Sequence, residues 1–285
     1  MDDTEKSGWK PGIFDINKSQ VTRILRPKEM HALIASARVE DETKWKWLQS
    51  HGITTEDVRA WLYYYLYSGN RFNEAWLIHP EPDKYDGRGI VRMPYYKGKR
   101  MRTVKPRNIF LSFKGREYMN SFFEAAEMPG KDKEEMRQTS RAFTTILHKA
   151  GERIGLSEEK FVFPFDRVER DELGNIVTEK KTRTRVKLHE GVHTLITVEV
   201  EIPKTYEEMQ EQVTNGCMVR SFRHSWESWL YWGIGDIGNT TLTQIILSQG
   251  HDEKTSLQYY LNFGFDRKDD LSDIQTEVRG FGEVG

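Results

Sequence analysis

The chain reads as a mainly helical α+β protein with a small antiparallel sheet and an extra β-hairpin insertion. Three observations predict this. Apolar residues recur at helical spacing over most of the length, residues 88–111 and 176–202 switch to the two-residue period of strands, and Gly or Pro marks most of the changes. The 285 residues, 37% of them hydrophobic and 12% aromatic, suffice for a sizeable core. No apolar run reaches the roughly 18 residues of a membrane span. The acidic start Met1-Asp-Asp-Thr-Glu-Lys is not a secretory signal, and the single Cys217 excludes a disulfide framework and a Cys-based zinc cluster. The expected setting is soluble and cytoplasmic.

Taken in order, residues 1–24 show little periodicity and read as an N-terminal arm or linker. A first helix begins near Pro27, with Met30, Leu33, Ile34 and Ala37 on one face. Thr54-Thr-Glu-Asp offers a cap with acids in the first turn, opening an aromatic helix that stops at Ser68-Gly69. Arg71 to Ile78 predicts another helix, broken by Pro80 and Pro82. Ile90–Met93, Tyr95–Val104 and Ile109–Leu111 predict short strands, and helices return over 115–127 and 132–154. Alternating β-branched residues predict a hairpin insertion within about 160–215. From Met218 the pattern is helical again, with Trp226, Trp229, Tyr231 and Trp232 as core aromatics. Residues 25–265 are expected to form the main domain and 266–285 an acidic C-terminal tail.

Charge is strongly segregated. The sequence holds 43 basic and 44 acidic residues, for a net charge of −1. Residues 84–116 nevertheless carry 11 Lys or Arg against Asp86 alone, so +10 sits there and −11 on the rest. Lys180-Lys-Thr-Arg-Thr-Arg-Val-Lys187 adds a second basic run. Basic patches on a neutral chain suggest a polyanion held at one face. His189-Glu-Gly-Val-His193 matches the H-E-x-x-H zinc-hydrolase signature, which needs both imidazoles on one helical face. Its flanks are strand-like and Gly191 sits between the histidines, so Glu190-Gly191 reads as a hairpin turn and no metal is expected.

Four separated segments carry candidate chemistry: Ser68-Gly-Asn-Arg-Phe-Asn-Glu-Ala75, Lys97-Gly-Lys-Arg-Met-Arg-Thr-Val104, Arg220-Ser-Phe-Arg-His-Ser-Trp226 and Leu247-Ser-Gln-Gly-His-Asp-Glu-Lys-Thr-Ser-Leu-Gln-Tyr-Tyr-Leu-Asn262. Each is weak alone. Their order and spacing resemble the boxes of the tyrosine recombinases, the phage-integrase superfamily, with arginine at 220 in place of the usual histidine. The resemblance implies a tyrosine-recombinase catalytic domain, and it leaves the first 24 residues and the insertion unexplained. It also implies cleavage and rejoining of double-stranded DNA through a 3′-phosphotyrosyl intermediate, by a homotetramer on two duplexes, with no cofactor and no small-molecule substrate. Some archaeal viral integrases diverge similarly in the third box.

The implied roles suit the residue types. Arg71 and Arg223 clamp the non-bridging phosphate oxygens, since a planar, always-protonated fork matches them. Lys97 protonates the leaving 5′ oxygen. His251 donates to, or orients, the phosphate or the tyrosine. Arg220 joins the phosphate site but is a poor proton acceptor, and His224 is a supporting residue that takes over part of that role. Glu74 steers Arg71 from three residues along the helix. The nucleophile is Tyr260, with Tyr259 as the alternative. Lys99, Arg100, Arg102, Lys105 and Arg107 are expected to contact DNA. Two other readings share these residues: a type IB topoisomerase-like nicking-resealing enzyme, and a DNA-binding relative with weak or lost catalysis.

Overall fold

A computed structural model describes residues 23–42, 46–96, 105–156, 161–165, 168–173, 175–189, 192–204, 210–233, 242–250 and 268–283. Lys97, Lys99, Arg100, Arg102, His251, Tyr259 and Tyr260 lie outside these. So do residues 1–22 of the expected arm. At Arg23 the chain is already tied in, its backbone N–H donating to Gly216 O at 3.1 Å and its guanidinium to Leu156 O at 2.8 Å.

The chain forms two compact units, residues 162–213 and the remainder. The larger is mainly helical. Its first helix, α1 (Pro27–Ser36), starts at the expected proline and buries Met30, Leu33 and Ile34. A short α2 (Trp47–Ser50) is opened by the Glu42 carboxylate, which accepts from Trp47 N at 2.6 Å and Leu48 N at 2.8 Å. Next comes α3 (Thr55–Ser68). Thr54 and Asp57 close a reciprocal capping box at its start, and Gly69, at φ 59°, ends it. Instead of one helix from Arg71, the chain makes a 3₁₀ turn over Phe72–Glu74 and the single-turn α4 (Ala75–Ile78). Glu74 is the reason. Its Oε2 accepts from Arg71 N at 2.8 Å, so Arg71 caps the turn rather than joining it.

The sheet is a two-stranded antiparallel pair, β1 (Ile90–Tyr96) with β2 (Lys105–Phe110), in which Ile90 faces Phe110 and Met93 faces Arg107. Helices α5 (Phe113–Glu124) and α6 (Lys133–Arg153) follow, capped by Ser112 and Asp132. After the smaller unit come α7 (Val219–Trp232), α8 (Leu242–Gln249) and α9 (Lys268–Val278). Helices α3 and α7 are buried around most of their circumference, as a central helix must be. Trp61, Tyr64, Tyr65, Tyr67, Phe122, Phe143, Trp226 and Trp229 are all 0–1% exposed. Burying a large apolar side chain is worth roughly 1.5–3 kcal/mol, so this aromatic centre contributes substantially to the unit's stability.

The expected acidic tail is folded. Helix α9 buries Ile274 and Val278, and Phe281 follows into the core, all at 0% exposure. Glu277 accompanies them because its carboxylate accepts from Tyr67 Oη at 2.7 Å, lies 3.1 Å from His31 Nε2 and pairs with Lys114 Nζ at 3.1 Å. Among the described residues, no helix is long and apolar enough to cross a membrane.

The smaller unit contains β3 (Phe161–Phe165) paired with β6 (Gln210–Thr214), the latter ending at the boundary, and a long hairpin of β4 (Thr178–His189) and β5 (Val192–Pro203). The hairpin register runs unbroken from Thr178–Pro203 to His189–Val192. His193 pairs with Leu188 and His189 with Val192, so strand alternation sets the two histidines on opposite faces of the ribbon. His189 and His193 therefore lie on paired strands rather than one turn apart on a helix, unlike the ligand pair of a zinc hydrolase; Glu190 and Gly191 lie outside the described residues.

Candidate active site

The sequence gathers three arginines from distant segments around one helix end. Arg71 follows α3, Arg107 lies in β2 and Arg223 in the second turn of α7. Arg223 donates through Nη1 to Gly69 O and through Nη2 to Gln249 O at 2.7 Å. Arg107 Nη1 donates to the same Gln249 O at 3.3 Å, and Arg71 Nη2 donates to Gly250 O at 3.3 Å. The three guanidiniums thus collect the last carbonyls of α8, groups that no helix can satisfy internally and that carry the negative end of its dipole.

One carboxylate anchors the cluster. Glu74 Oε1 accepts from Arg71 Nη1 at 3.0 Å and Oε2 from Arg107 Nη2 at 2.9 Å. Arg107 Nη2 also donates to Asn70 Oδ1 at 2.7 Å, and Asn70 in turn donates to the Tyr64 hydroxyl. Burial pushes the Glu74 carboxyl upward, but Arg107, Arg71, the Arg71 backbone N–H and Arg223 outweigh it. The net position is below the ordinary carboxylate value. Burial, opposed by Glu74, draws Arg107 below the usual arginine range, and the adjacent Arg223 and Arg71 add to that. Three guanidiniums thus gather around the Glu74 carboxylate, two of them bonded to it directly.

The three differ in exposure. The side chain of Arg71 is 41% exposed, whereas that of Arg107 is 5% exposed and residue Arg223 4%. Arg71 is the member that meets solvent, backed by two buried cations. An exposed guanidinium backed by buried ones is chemically suited to an anion, because its planar, always-protonated fork matches anionic oxygens.

Two glycines make the close approach possible. At Gly250, with φ +72°, an added Cβ would lie 1.7 Å from Arg107 Nη1. At Gly69, with φ +59°, it would lie 2.1 Å from Gln249 Oε1. Each needs both the left-handed backbone and the missing side chain. Gly69→Ala is expected to destabilise the fold by about 1–3 kcal/mol, read as a drop in thermal midpoint, because strain and overpacking act together. A midpoint within a degree of wild type contradicts the packing described here.

The remaining expected residues are placed less uniformly. Glu74 does orient Arg71, though through a cap and a 3₁₀ turn rather than along a helix face. His224 is buried in α7 beside Arg223, while Arg220 is exposed one turn earlier. Lys105 opens β2 opposite Tyr96. Arg107 departs from its expected place on a DNA-facing surface: it is buried and committed to Glu74, Asn70 and Gln249, because it shares the inward parity of Ile109 and Leu111, which are also buried. That parity was the available signal for it. Asn70 and Gln249 were not singled out. The carboxamide of Gln249 is fully buried beside Gly69, and among the described residues neither its Oε1 nor its Nε2 has a hydrogen-bond partner. Cys217 is buried and its thiol is pushed up to about 12 by desolvation, which removes it as a nucleophile near neutral pH.

No family model, curated protein or solved structure matches the chain.

Proposed function

We propose that the chain is a site-specific DNA recombinase that cleaves and rejoins strands through a 3′-phosphotyrosyl link. One observation carries this reading: Arg71, Arg107 and Arg223 converge on the carbonyls of Gln249 and Gly250, the two residues immediately before His251. The helix end that leads to His251, Tyr259 and Tyr260 is therefore bonded to an anion-attracting cluster. Segments 154 and 179 residues apart meet there, drawn from the first and third sequence boxes and the start of the fourth; the second box, residues 97–104, lies outside the described residues.

In this reading the scissile phosphate lies against Arg71, with Arg223 behind it and Arg107 holding Glu74 and the α8 carbonyl in place. Tyr260, its phenol proton released to solvent, attacks phosphorus in line through its oxygen. A bond forms from tyrosine to the 3′ phosphate while the bond to the 5′ oxygen breaks, and Lys97 gives that oxygen its proton. Developing charge on the non-bridging oxygens is met by guanidiniums already in position, which is where such donors act most strongly. The reverse reaction, with a 5′ hydroxyl from another strand, completes exchange. A tetramer on two duplexes follows from that requirement.

A second reading, nicking and resealing without partner exchange, is favoured by α9. The helix after the tyrosines packs into its own unit through Ile274, Glu277 and Val278. Relaxation of supercoiled DNA without products from two-site substrates selects this reading; two-site products select the recombinase.

The test is a suicide DNA substrate that traps the covalent intermediate. Wild-type protein is expected to give a denaturation-resistant adduct, and Tyr260→Phe to lose it. Retention in Tyr260→Phe with loss in Tyr259→Phe moves the nucleophile by one residue. Retention in the double variant overturns the chemistry.

A further inference from the structure

We infer that the β4–β5 hairpin is a second duplex-DNA contact, made by the ribbon face that carries Lys181, Arg183, Arg185 and Lys187. The inference rests on the DNA reading above but concerns the smaller unit, which has no part in the arginine cluster. Strand register carries it. The twelve consecutive pairs from Thr178–Pro203 to His189–Val192 fix which residues share a face, because side chains alternate along each strand.

On one face stand Lys181, Arg183, Arg185 and Lys187, with their partners Val200, Val198, Ile196 and Thr194 beside them. From Lys181 to Val200 that face holds no acid; Glu179, paired with Lys181 at 2.7 Å, stands at its base. The opposite face reads differently. Lys180 stands across from Glu201 and Thr182 across from Glu199, and Thr184, Val186 and Leu188 follow. Four cations of the basic run thus fall on one side of the ribbon and the strand acids 199 and 201 on the other.

A column of like charges beside β-branched neighbours contributes nothing to the hairpin's own stability, since adjacent cations repel. Nor does a third strand cover the ribbon, as β4 and β5 pair only with each other among the described residues. Lys180, Lys181, Thr182, Thr197, Glu199 and Glu201 are exposed. An extended polyanion supplies what the face lacks. Rows repeat every ~6.8 Å along a strand, matching the axial rise of two nucleotides at ~3.4 Å each. A two-stranded ribbon also fits the roughly 12 Å major groove, where a β-branched column can meet thymine methyl groups. A regular, repeating phosphate row suits this geometry better than an irregular acidic peptide does.

The experiment uses the full chain and a duplex of about 40 base pairs, with affinity measured across a salt series. The variant carries Lys181→Gln, Arg183→Gln, Arg185→Gln and Lys187→Gln. Each lost phosphate contact removes about 0.9 from the salt slope, so the quadruple variant is expected to lose about 3 to 4 and to bind at least ~10-fold more weakly at moderate salt. Lys180→Gln, on the opposite face, is expected to leave slope and affinity near wild type. If the quadruple variant unfolds, the four single variants each carry the expectation of about 0.9.

An unchanged slope and affinity overturns the inference while leaving the arginine-cluster reading intact. So does an unchanged affinity with altered self-association, which assigns the face to a second copy of the chain. The converse failure is separable: Arg71→Ala is expected to keep the hairpin's share of the slope, so wild-type binding without any covalent adduct sinks the catalytic reading alone.

Discussion

Arg71→Ala is expected to slow covalent adduct formation on a suicide substrate by about 10²–10³, the usual cost of removing a transition-state donor. Its thermal midpoint is expected to stay within a few degrees of wild type. The asymmetry follows from where Arg71 sits. It is the exposed member of the cluster, and Glu74 keeps Arg107 as a partner when Arg71 is gone. Arg71→Lys is expected to recover little, because an ammonium cannot present two parallel donors to Glu74 and a phosphate oxygen. Single-turnover rates beside a melting curve check both halves. Equal rates in variant and wild type would remove Arg71 from the reaction; a large loss of stability would make it a structural residue instead.

Glu74→Gln tests the other half of the cluster, and here the expected effect is on folding. Removing one partner from a buried ion pair typically costs about 3–5 kcal/mol, because the remaining charge is stranded. Glu74 compensates two arginines directly, and the side chain of Arg107 is only 5% exposed. At about 2–4 °C per kcal/mol for domains near this size, the midpoint is expected to fall by roughly 10 °C. A surface pair would cost less than about 1 kcal/mol, so the magnitude decides between them.

The pH dependence fixes the sign. The folded Glu74 carboxyl lies below its ordinary value, so its contribution is fully present above the unfolded pKa. That contribution is lost as pH falls through the depressed folded value, beneath the usual carboxylate range. The stability gap between wild type and Glu74→Gln is therefore expected to be flat near neutrality and to close in acid. A gap that widens in acid contradicts the assignment.

Much of this architecture can be read from the chain because local and tertiary preferences agree. Thr54 and Asp57 announce α3, the apolar spacing of α7 makes a core helix, and uninterrupted alternation marks β4 and β5. The departures have physical causes. In 266–285 acidic composition hid an amphipathic spacing, with Ile274, Glu277, Val278 and Phe281 on one side; Glu277 is buried only because Tyr67, His31 and Lys114 arrive from three other elements. Arg107 was concealed by the run of surface-like charge around it, although its parity with Ile109 placed it inside. Arg71 and Glu74 matched a helix pattern, yet the carboxylate bonds the Arg71 backbone and shortens the element to a 3₁₀ turn. For the buried carboxamide of Gln249 no sequence signal exists, since its neighbour Gly69 lies far away along the chain.

In the proposed reaction the arginine cluster and the segment following Gly250 act on one phosphodiester. The most direct measurement is to digest the trapped protein–DNA adduct and locate the nucleotide-bearing residue by mass spectrometry. A nucleotide remnant is expected on Tyr260, or on its neighbour Tyr259, with an adduct yield that collapses in Arg71→Ala. A remnant on any residue outside that segment, or full adduct yield without Arg71, contradicts it.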